Sequence, residues 1–193
     1  MHLTTAETCP VSHFCHHQRV HRVSVVGNSG SGKSTLGAAL ATRLGVPYVE
    51  LDSIFHQPGW TELPRNEFRA RVEAVAAGES WVIDGNYTAV RDLVWARADT
   101  VVWIDLPRPL VMRRIIARTL RRAVLRQELW NGNREPSSNW LTLDPERSII
   151  IWSWTQHAKY RVRYADAMAD PALAHLTFFR LRTPAEVRTF LSG

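Results

Sequence analysis

The sequence predicts an α/β fold in which helices pack on both faces of a parallel sheet. From His21 onward, strand-like and helix-like segments alternate, which is typical of parallel strands joined by crossover helices. A glycine-rich loop separates the first strand from the first helix, and two further apolar strands end in aspartate. Ligands of open parallel sheets bind outside the carboxyl ends of the strands, so these features share one edge. The expected architecture is a three-layer sandwich around five parallel strands.

The order of elements follows from where apolar residues recur and where turn residues interrupt them. The predicted strands cover residues 21–26, 46–51, 80–84, 101–105 and 176–181. The predicted helices cover residues 34–44, 64–77, 109–127 and 147–168, with a last helix after Thr183. Gly45 is the expected cap of the first helix, and Thr183-Pro184-Ala185-Glu186 forms a capping box for the last. The polar stretch before residue 147 is expected to belong to a lid spanning about 118–150.

Composition favours one globular domain. Of the 193 residues 45% are hydrophobic, enough for a single well-buried core within residues 20–193. Residues 1–19 show no apolar periodicity and are expected to form a disordered leader. A soft-metal site is the alternative for this leader, from Cys9, His13, Cys15, His16 and His17. No apolar run could span a bilayer and no secretory signal is present, so a cytoplasmic protein without a membrane partner is expected.

The most specific motif is a phosphate-binding loop, or P-loop. The segment from Gly27 to Ser34 fits G-x-x-x-x-G-K-[ST] at every constrained position. Its glycines let successive backbone N–H groups turn toward phosphate oxygens, the Lys33 ammonium reaches the β- and γ-phosphates, and the Ser34 hydroxyl can bind Mg²⁺. The motif predicts that a nucleoside triphosphate binds. The expected contacts are Gly27, Asn28, Ser29, Gly30, Ser31, Gly32, Lys33, Ser34 and Thr35.

Three aspartates follow predicted strands. Asp84 precedes the turn Gly85-Asn86-Tyr87, where backbone can approach a ligand, and we expect it to hold Mg²⁺ together with Ser34. A structural role is favoured over a catalytic role for Asp105. Asp52 follows the second strand, where it would orient or deprotonate an acceptor hydroxyl. A turn or helix-capping role is the open alternative for Asp52.

Aromatic residues near these strand ends indicate a pocket for a small cyclic acceptor, such as a nucleoside base or a sugar. Phe55, His56 and Trp60 follow Asp52 along the chain, and Tyr87 lies in the turn after the third strand. Packing in the core is the other interpretation, and it is favoured for Phe55. The expected acceptor-binding residues are Asp52, Phe55, Trp60, Gly85, Asn86 and Tyr87.

The third predicted helix is strongly basic. The net charge of the chain is +6, and seven arginines with no acidic residue lie between Arg108 and Gln127. Beside a P-loop, two or three of them are expected to stabilise the charge of a transferred phosphoryl group when a lid closes. The remaining arginines are expected to form a solvated face, and binding of the helix to nucleic acid or to an acidic membrane surface is a less favoured alternative. The helical stripe contains Arg114, Arg118, Arg121 or Arg122, and Arg126. The expected catalytic residues are Lys33, Asp52, Asp84, Arg118 and Arg122.

With these features, residues 21–193 resemble the adenylate-kinase-like branch of P-loop kinases, which includes shikimate and gluconate kinases. A closer similarity is to a bacterial group of adenylate-kinase-related proteins labelled "topology modulation". Beside the P-loop, it is carried by Leu51-Asp52, Pro58-Gly59-Trp60 and the run from Trp81 to Tyr87. The resemblance implies a P-loop NTPase fold with strand order 2-3-1-4-5, and ATP and Mg²⁺ as cofactors. It also implies that Thr183 and Pro184 border the adenine.

Differences from adenylate kinases bear on the acceptor. Those kinases place an arginine for the acceptor phosphate in an Asp-Gly-Phe-Pro-Arg turn, whereas here the next arginine after Asn86-Tyr87 is Arg91. Asp52 stands where they have a threonine-glycine segment. The sequence therefore predicts an ATP- and Mg²⁺-dependent phosphotransferase acting on a hydroxyl-bearing metabolite or nucleoside. The alternatives are a nucleoside monophosphate kinase and a nucleotide-gated regulator that contacts nucleic acid or protein.

Overall fold

The computed structural model of the chain describes residues 21–125, 128–133 and 148–193. The expected leader at residues 1–19, Arg126 of the basic helix and residues 134–147 of the expected lid lie outside the described residues. None of the helices within the described ranges is long and apolar enough to cross a bilayer.

A five-stranded parallel sheet forms the middle layer. Its strands are β1 (Arg22–Gly27), β2 (Tyr48–Glu50), β5 (Trp81–Asp84), β6 (Thr100–Ile104) and β7 (Thr177–Leu181). Two short strands, β3 (His56–Gln57) and β4 (Thr61–Glu62), form a separate antiparallel hairpin. Along the sheet the order is β2-β5-β1-β6-β7, and all neighbours are parallel. Counted in chain order without the hairpin, the strands stand 2-3-1-4-5, as the resemblance implied.

Helices connect these strands and cover the sheet. Those within the described residues are α1 (Lys33–Leu44), α2 (Leu51–Phe55), α3 (Arg65–Ala76), α4 (Arg91–Arg97), α5 (Arg108–Leu125), α6 (Ile149–Ala169) and α7 (Pro184–Ser192). The sequence patterns did not predict α2 and α4. Both are too short, at five and seven residues, to display helical periodicity.

Each face of the sheet carries its own hydrophobic core, because side chains alternate across a strand. On one face, Trp81, Ile83 and Trp103 pack with α3, α4 and α6. On the other face, Val25 and Val102 pack with α1, α7 and the start of α5. All five side chains are essentially inaccessible to solvent, and full burial of one large apolar side chain contributes about 1.5–3 kcal/mol. The result is the three-layer arrangement that the sequence predicts.

The second strand is shorter than its pattern predicts. The pattern extends it to Leu51 with Asp52 at its end, but β2 stops at Glu50 and Asp52 lies in the first turn of α2. The ladder between β2 and β5 ends with Glu50 beside Asp84, because β5 itself ends there. The Ser53 hydroxyl then donates to the Glu50 carbonyl at 2.7 Å, giving that carbonyl a partner where the helix begins.

Both predicted helix caps are present. Gly45 has a positive φ of 67°, and its N–H donates to carbonyls of the last turn of α1. The Thr183 hydroxyl accepts from the Glu186 N–H at 3.1 Å. The Glu186 carboxylate accepts from the Arg182 N–H at 2.7 Å, so the reciprocal bond of the capping box is shifted by one residue.

Candidate active site

The P-loop connects β1 to α1, and its shape depends on glycine. Gly27, Gly30 and Gly32 have positive φ angles of 147°, 81° and 102°, which L side chains rarely adopt. A Cβ on Gly30 would also lie 3.0 Å from the Val111 carbonyl oxygen of α5, so loop and basic helix approach closely. The first amides of α1 have no intrahelical acceptor, and Gly32 provides no side-chain cap. These N–H groups are available to an anion.

A buried link joins the P-loop to α6. The Asn28 side-chain amide donates to the Ser153 carbonyl at 2.7 Å and to its hydroxyl oxygen at 3.0 Å. The Ser153 hydroxyl in turn donates to the Ser29 carbonyl at 3.1 Å. Asn28 is 5% exposed and Ser153 is fully buried. Because the Asn28 side chain bonds to α6, it fixes the P-loop to that helix.

Asn86 fastens the same loop from the other side. Its amide accepts from the Gly27 N–H at 3.1 Å and donates to the Gly27 carbonyl at 2.5 Å. The Tyr164 hydroxyl donates to the same amide oxygen at 2.8 Å. Gly85 is needed for packing, since a Cβ there would lie 2.8 Å from the Leu51 Cβ. Acceptor contacts by Gly85 and Asn86 remain predictions, and both residues have a structural task in this arrangement.

Two carboxylates and two hydroxyls meet at the ends of β2 and β5. The Tyr48 hydroxyl lies 2.7 Å from an Asp84 carboxylate oxygen and 2.9 Å from one of Glu50. Ser34 is a further hydrogen-bond partner of Asp84. Asp84 is 2% exposed, and burial raises the pKa of its carboxyl above the ordinary value, while the nearby Lys33 ammonium opposes that rise.

The oxygen atoms at the ends of β2 and β5 suit a hard cation as ligands. Tyr48 has one hydroxyl hydrogen but faces carboxylate oxygens of both Asp84 and Glu50, so acceptors outnumber donors. Carboxylate and hydroxyl oxygens are ligands that Mg²⁺ accepts. Within the described residues no three His, Cys, Asp or Glu side chains are grouped as a metal site. The ends of β2 and β5 provide two carboxylates, and the Ser34 hydroxyl is a third oxygen ligand beside them. These oxygen ligands include those of the predicted pair, Ser34 and Asp84.

Lys33 lies between the P-loop and the acids. Its ammonium is 3.4 Å from the Asn28 carbonyl oxygen. Burial lowers the pKa of Lys33, and the carboxylates of Asp84 and Asp52 oppose that shift. The same ammonium therefore experiences the charge of both predicted functional aspartates.

Asp52 is held by an aromatic cluster. The Tyr87 hydroxyl donates to the Asp52 carboxylate at 2.6 Å and lies 3.5 Å from His56 Nε2. Burial, followed by the charge of Asp52, raises the pKa of Tyr87, which therefore remains a donor. Phe55 packs on Tyr87 with ring centroids 4.8 Å apart and joins the core, as favoured. Trp60 places its ring 5.3 Å from that of His56.

The 128–133 segment, which follows α5, crosses over this cluster. The Trp130 indole N–H donates to the Glu50 carboxylate. Asn131 donates to the His56 carbonyl at 2.6 Å, and Asn133 makes two 2.9 Å bonds to the backbone of the β3–β4 hairpin region. The predicted loop therefore includes a turn that is hydrogen-bonded to the backbone of residues 56–60.

The arginines of α5 divide into two sets. Arg114 donates to the Ser31 carbonyl and Arg118 donates to the Ser29 hydroxyl, both at 3.1 Å, so these two face the P-loop. Arg118 and Arg122, one turn further along, are half-buried, whereas Arg113, Arg114 and Arg121 are exposed. Arg114 and Arg118 thus contact the P-loop, and the number of arginines that meet phosphate stays a prediction.

Two other predicted residues serve the fold. Asp105 is buried and pairs with Arg180 of β7 at 2.9 Å and with Arg161 of α6 at 3.0 Å. This is the favoured structural role. Thr183 caps α7 with Pro184 in its first turn. Their contact with an adenine remains a prediction.

Sequence patterns did not indicate Tyr48, Glu50 or Ser153. The polar residue Glu50 at the end of a strand, two positions before Asp52, was the one available signal for the acid corner. Nothing local marks Ser153, because its partner Asn28 is 125 residues away.

Comparisons with known proteins give a consistent result. Residues 29–69, from the P-loop to α3, match the shikimate kinase family. A shikimate kinase of Synechococcus elongatus is 29% identical over 132 residues, which cover 58% of this chain and 70% of that protein. The uncharacterized protein YqaC of Bacillus subtilis is 30% identical over 104 residues, covering 52% and 57% respectively. The crystal structure of shikimate kinase from Aquifex aeolicus covers 89% of this chain and 94% of its own, with a TM-score of 0.50 and 17% identity. This last similarity concerns the fold.

Proposed function

We propose that the chain is a P-loop small-molecule kinase, as its similarity to shikimate kinases supports, and that it uses ATP and Mg²⁺ to phosphorylate a hydroxyl group on a small acceptor. The similarity to shikimate kinases begins inside the P-loop and includes Asp52. The acceptor itself is assigned from the charges and hydrogen bonds of this chain.

ATP would bind with its phosphates on the P-loop. The free amides of α1 and the Lys33 ammonium would hold the β- and γ-phosphates. Arg114 and Arg118 already contact the loop, and Arg122 follows on the same helix, so they would meet charge on the transferred phosphoryl group. Thr183 and Pro184 would border the adenine at the start of α7.

Mg²⁺ would be held by Ser34 and Asp84, with Glu50 as an additional oxygen donor. The excess of acceptors around the Tyr48 hydroxyl supports this assignment. When bound, the ion neutralises charge on the phosphate oxygens. The Tyr48 hydroxyl would keep the two carboxylates in place.

The observation that carries the proposal is the position of Asp52. The charge of its carboxylate raises the pKa of Lys33 against the effect of burial, and the Tyr87 hydroxyl donates a 2.6 Å hydrogen bond to it. A hydroxyl acceptor must lose a proton when its oxygen bonds to the γ-phosphorus and the bond to the β-phosphate oxygen breaks. Asp52 can orient that hydroxyl and accept the proton. Trp60 and Tyr87 would line the acceptor, with Phe55 packed behind them.

The two alternatives have less support. The first arginine after Asn86 is Arg91, whose guanidinium lies 5.2 Å from the centroid of the Trp95 ring, so the turn after Asp84 lacks the arginine that adenylate kinases place there. A regulator that contacts nucleic acid would use outward arginines, and Arg113 and Arg121 are exposed. Arg114 and Arg118 face the P-loop, which favours catalysis.

The proposal is tested by an acceptor screen that follows ADP release from Mg²⁺-ATP. Hydrolysis in water alone is the baseline, and the panel contains polyols, sugars, nucleosides and nucleoside monophosphates. We expect a hydroxyl acceptor to raise ADP release above the baseline and to yield a phosphorylated product. Lys33→Ala should lower that rate by about 10²- to 10³-fold, as loss of a charge-stabilising donor does. Stimulation by monophosphates alone, or by none of the compounds, would reject the proposal.

A further inference from the structure

The acceptor side of the site is acidic. We call residues 50–62, 85–90 and 128–133 the acceptor wall, because they surround Asp52 and Tyr87. These three segments contain no lysine or arginine. Their charged residues are Glu50, Asp52, Glu62 and Glu128. The wall therefore presents carboxylates and no permanent cation of its own.

Two described arginines that follow wall segments in sequence, Arg69 and Arg91, have partners of their own. Arg69 of α3 forms two bonds to the Asp92 carboxylate, at 2.9 and 2.8 Å, and a third to the Ala89 carbonyl at 2.5 Å. Arg91 lies over the Trp95 ring. Lys33 and the loop-facing arginines of α5 contact the P-loop and are placed to meet the phosphates of ATP.

The charges that act on Tyr87 agree with a negatively charged acceptor wall. The Tyr87 hydroxyl experiences the carboxylates of Asp52 and Glu62. An acid group on the acceptor would have to enter beside these two carboxylates, and like charges at short range repel. A hydroxyl, or an ammonium, would instead donate hydrogen bonds to them.

Aromatic rings form the rest of the wall. His56 stands between Trp60, at a centroid distance of 5.3 Å, and Trp130, at 6.2 Å. Flat ring faces of this kind stack on the apolar faces of cyclic compounds, and they also attract cations. Carboxylates next to indole and imidazole rings make a site for a hydroxylated ring.

We propose that the acceptor carries no acid group: it is a hydroxylated ring that is either neutral or bears an amine. This inference rests on the proposed function, since it names the substrate class of the same site. It sets this chain apart from the shikimate kinases that it resembles, because shikimate is a carboxylate.

The test compares compounds that share a ring and differ in charge. The panel is glucose, glucosamine and glucuronate; shikimate and its methyl ester; and adenosine and AMP. ADP release is measured for each with Mg²⁺-ATP, and binding is measured separately by calorimetry in the presence of a non-hydrolysable ATP analogue. Within each set, we expect the neutral or amine-bearing member to exceed the acid by at least about tenfold in kcat/KM and in affinity, the size of an ordinary specificity difference.

A charge-reversal variant gives the matched control. Glu62→Lys changes the wall, whereas Glu67→Lys changes an exposed glutamate in the first turn of α3. We expect Glu62→Lys to shift the ratio of acid to neutral acceptor toward the acid by at least about threefold, and Glu67→Lys to leave it unchanged.

The outcomes separate this inference from the proposed function. Preference for the acid member, in turnover or in binding, overturns the inference even when phosphorylation is observed. Binding that favours neutral or amine-bearing members without any acceptor-dependent ADP release supports the inference and rejects the kinase proposal. Failure of every compound both to bind and to be phosphorylated rejects both.

Discussion

Asp52 is the residue on which the proposed chemistry of the acceptor depends. Asp52→Asn keeps the size of the side chain and an oxygen that can still accept from Tyr87 at 2.6 Å, but it cannot accept a proton. We expect phosphoryl transfer to fall by about 10²- to 10⁴-fold, the range of general-base loss. ATP affinity should change little, because its contacts lie on the P-loop. Single-turnover transfer and ATP binding are the measurements.

Tyr87→Phe is the matched control for this prediction. It removes the hydroxyl that fixes Asp52 but leaves the carboxylate, so a smaller loss than that of Asp52→Asn is expected. Equal transfer rates in wild type and Asp52→Asn would remove Asp52 from the mechanism. The monophosphate alternative would then gain support, because an anionic attacking oxygen needs no base.

Asp84 gives the protein a pH-dependent stability of defined sign. Burial raises the pKa of its carboxyl in the folded state, whereas the unfolded carboxyl titrates near about 3.9. The folded state thus binds the proton more tightly, and this contribution to stability is complete below that pH and is lost as pH rises through the folded pKa. Asp84→Asn cannot ionise. Without ligand, we expect it to gain stability relative to wild type as pH increases from about 4 to 7.

Thermal unfolding of wild type and Asp84→Asn across this pH range measures the effect. A difference in Tm that does not change with pH would show that the carboxyl is not destabilised by burial. Added Mg²⁺-ATP should raise the Tm of wild type more than that of the variant, since Asp84 is a proposed ligand of the ion.

At the scale of elements, α6 acts as a support for the P-loop. Ser153→Ala removes the hydroxyl that donates to the part-buried Ser29 carbonyl and accepts from the buried Asn28 amide. Leaving buried polar groups unpaired costs about 1–3 kcal/mol, so Tm should fall by several degrees. The loop would also lose its fixed shape, and we expect the KM for ATP to rise several-fold with a smaller change in kcat.

Thr155→Ala is the control on the same helix. Thr155 is exposed and its hydroxyl donates to the Trp152 carbonyl within α6, away from the P-loop. It should leave both Tm and the KM for ATP nearly unchanged. If Ser153→Ala and Thr155→Ala behave alike, the link between α6 and the loop does not hold the ATP site.

The elements that sequence patterns predicted well are those with strong local signals. The P-loop and α1 carry a fixed motif, and the strand ending in Asp84 is an uninterrupted apolar run. The end of β2 was misplaced because its length is set by β5, its partner in the sheet. Helix α4 was missed because just two of its seven residues, Val94 and Trp95, are buried.

At the scale of the whole molecule, the sheet order assembles the site from distant segments. Strands β1, β2 and β5 are neighbours in the sheet, so their carboxyl ends bring the P-loop, Glu50 and Asp84 to one edge. Sequence predicts which residues reach this edge, because the strand ends are visible in the pattern. It does not predict which side chains pair there: Trp130 meets Glu50 across 80 residues of chain.

Residues 20–193 are proposed to form a single P-loop kinase-like domain, and this predicts the effect of deleting residues 1–19. The sheet, both hydrophobic cores and the proposed ligand contacts all lie within the described residues after position 20. We expect the deletion to change Tm by less than about 2 °C, which for a protein of this size corresponds to less than about 1 kcal/mol.

Mg²⁺-ATP provides the functional readout for the same deletion. Ligand at about 100 times its Kd stabilises the folded state by about 2.7 kcal/mol, so Tm should rise by several degrees in the full chain and equally in the deleted one. Lys33→Ala should lose most of that rise, which shows that it comes from the P-loop. Chelation with EDTA tests the remaining alternative for the leader, because a metal bound by Cys9, Cys15 and the nearby histidines would stabilise the full chain alone. A fall in Tm on chelation that occurs in the full chain and not in the deleted one would assign the leader a metal, and an unchanged Tm would leave it outside the folded domain.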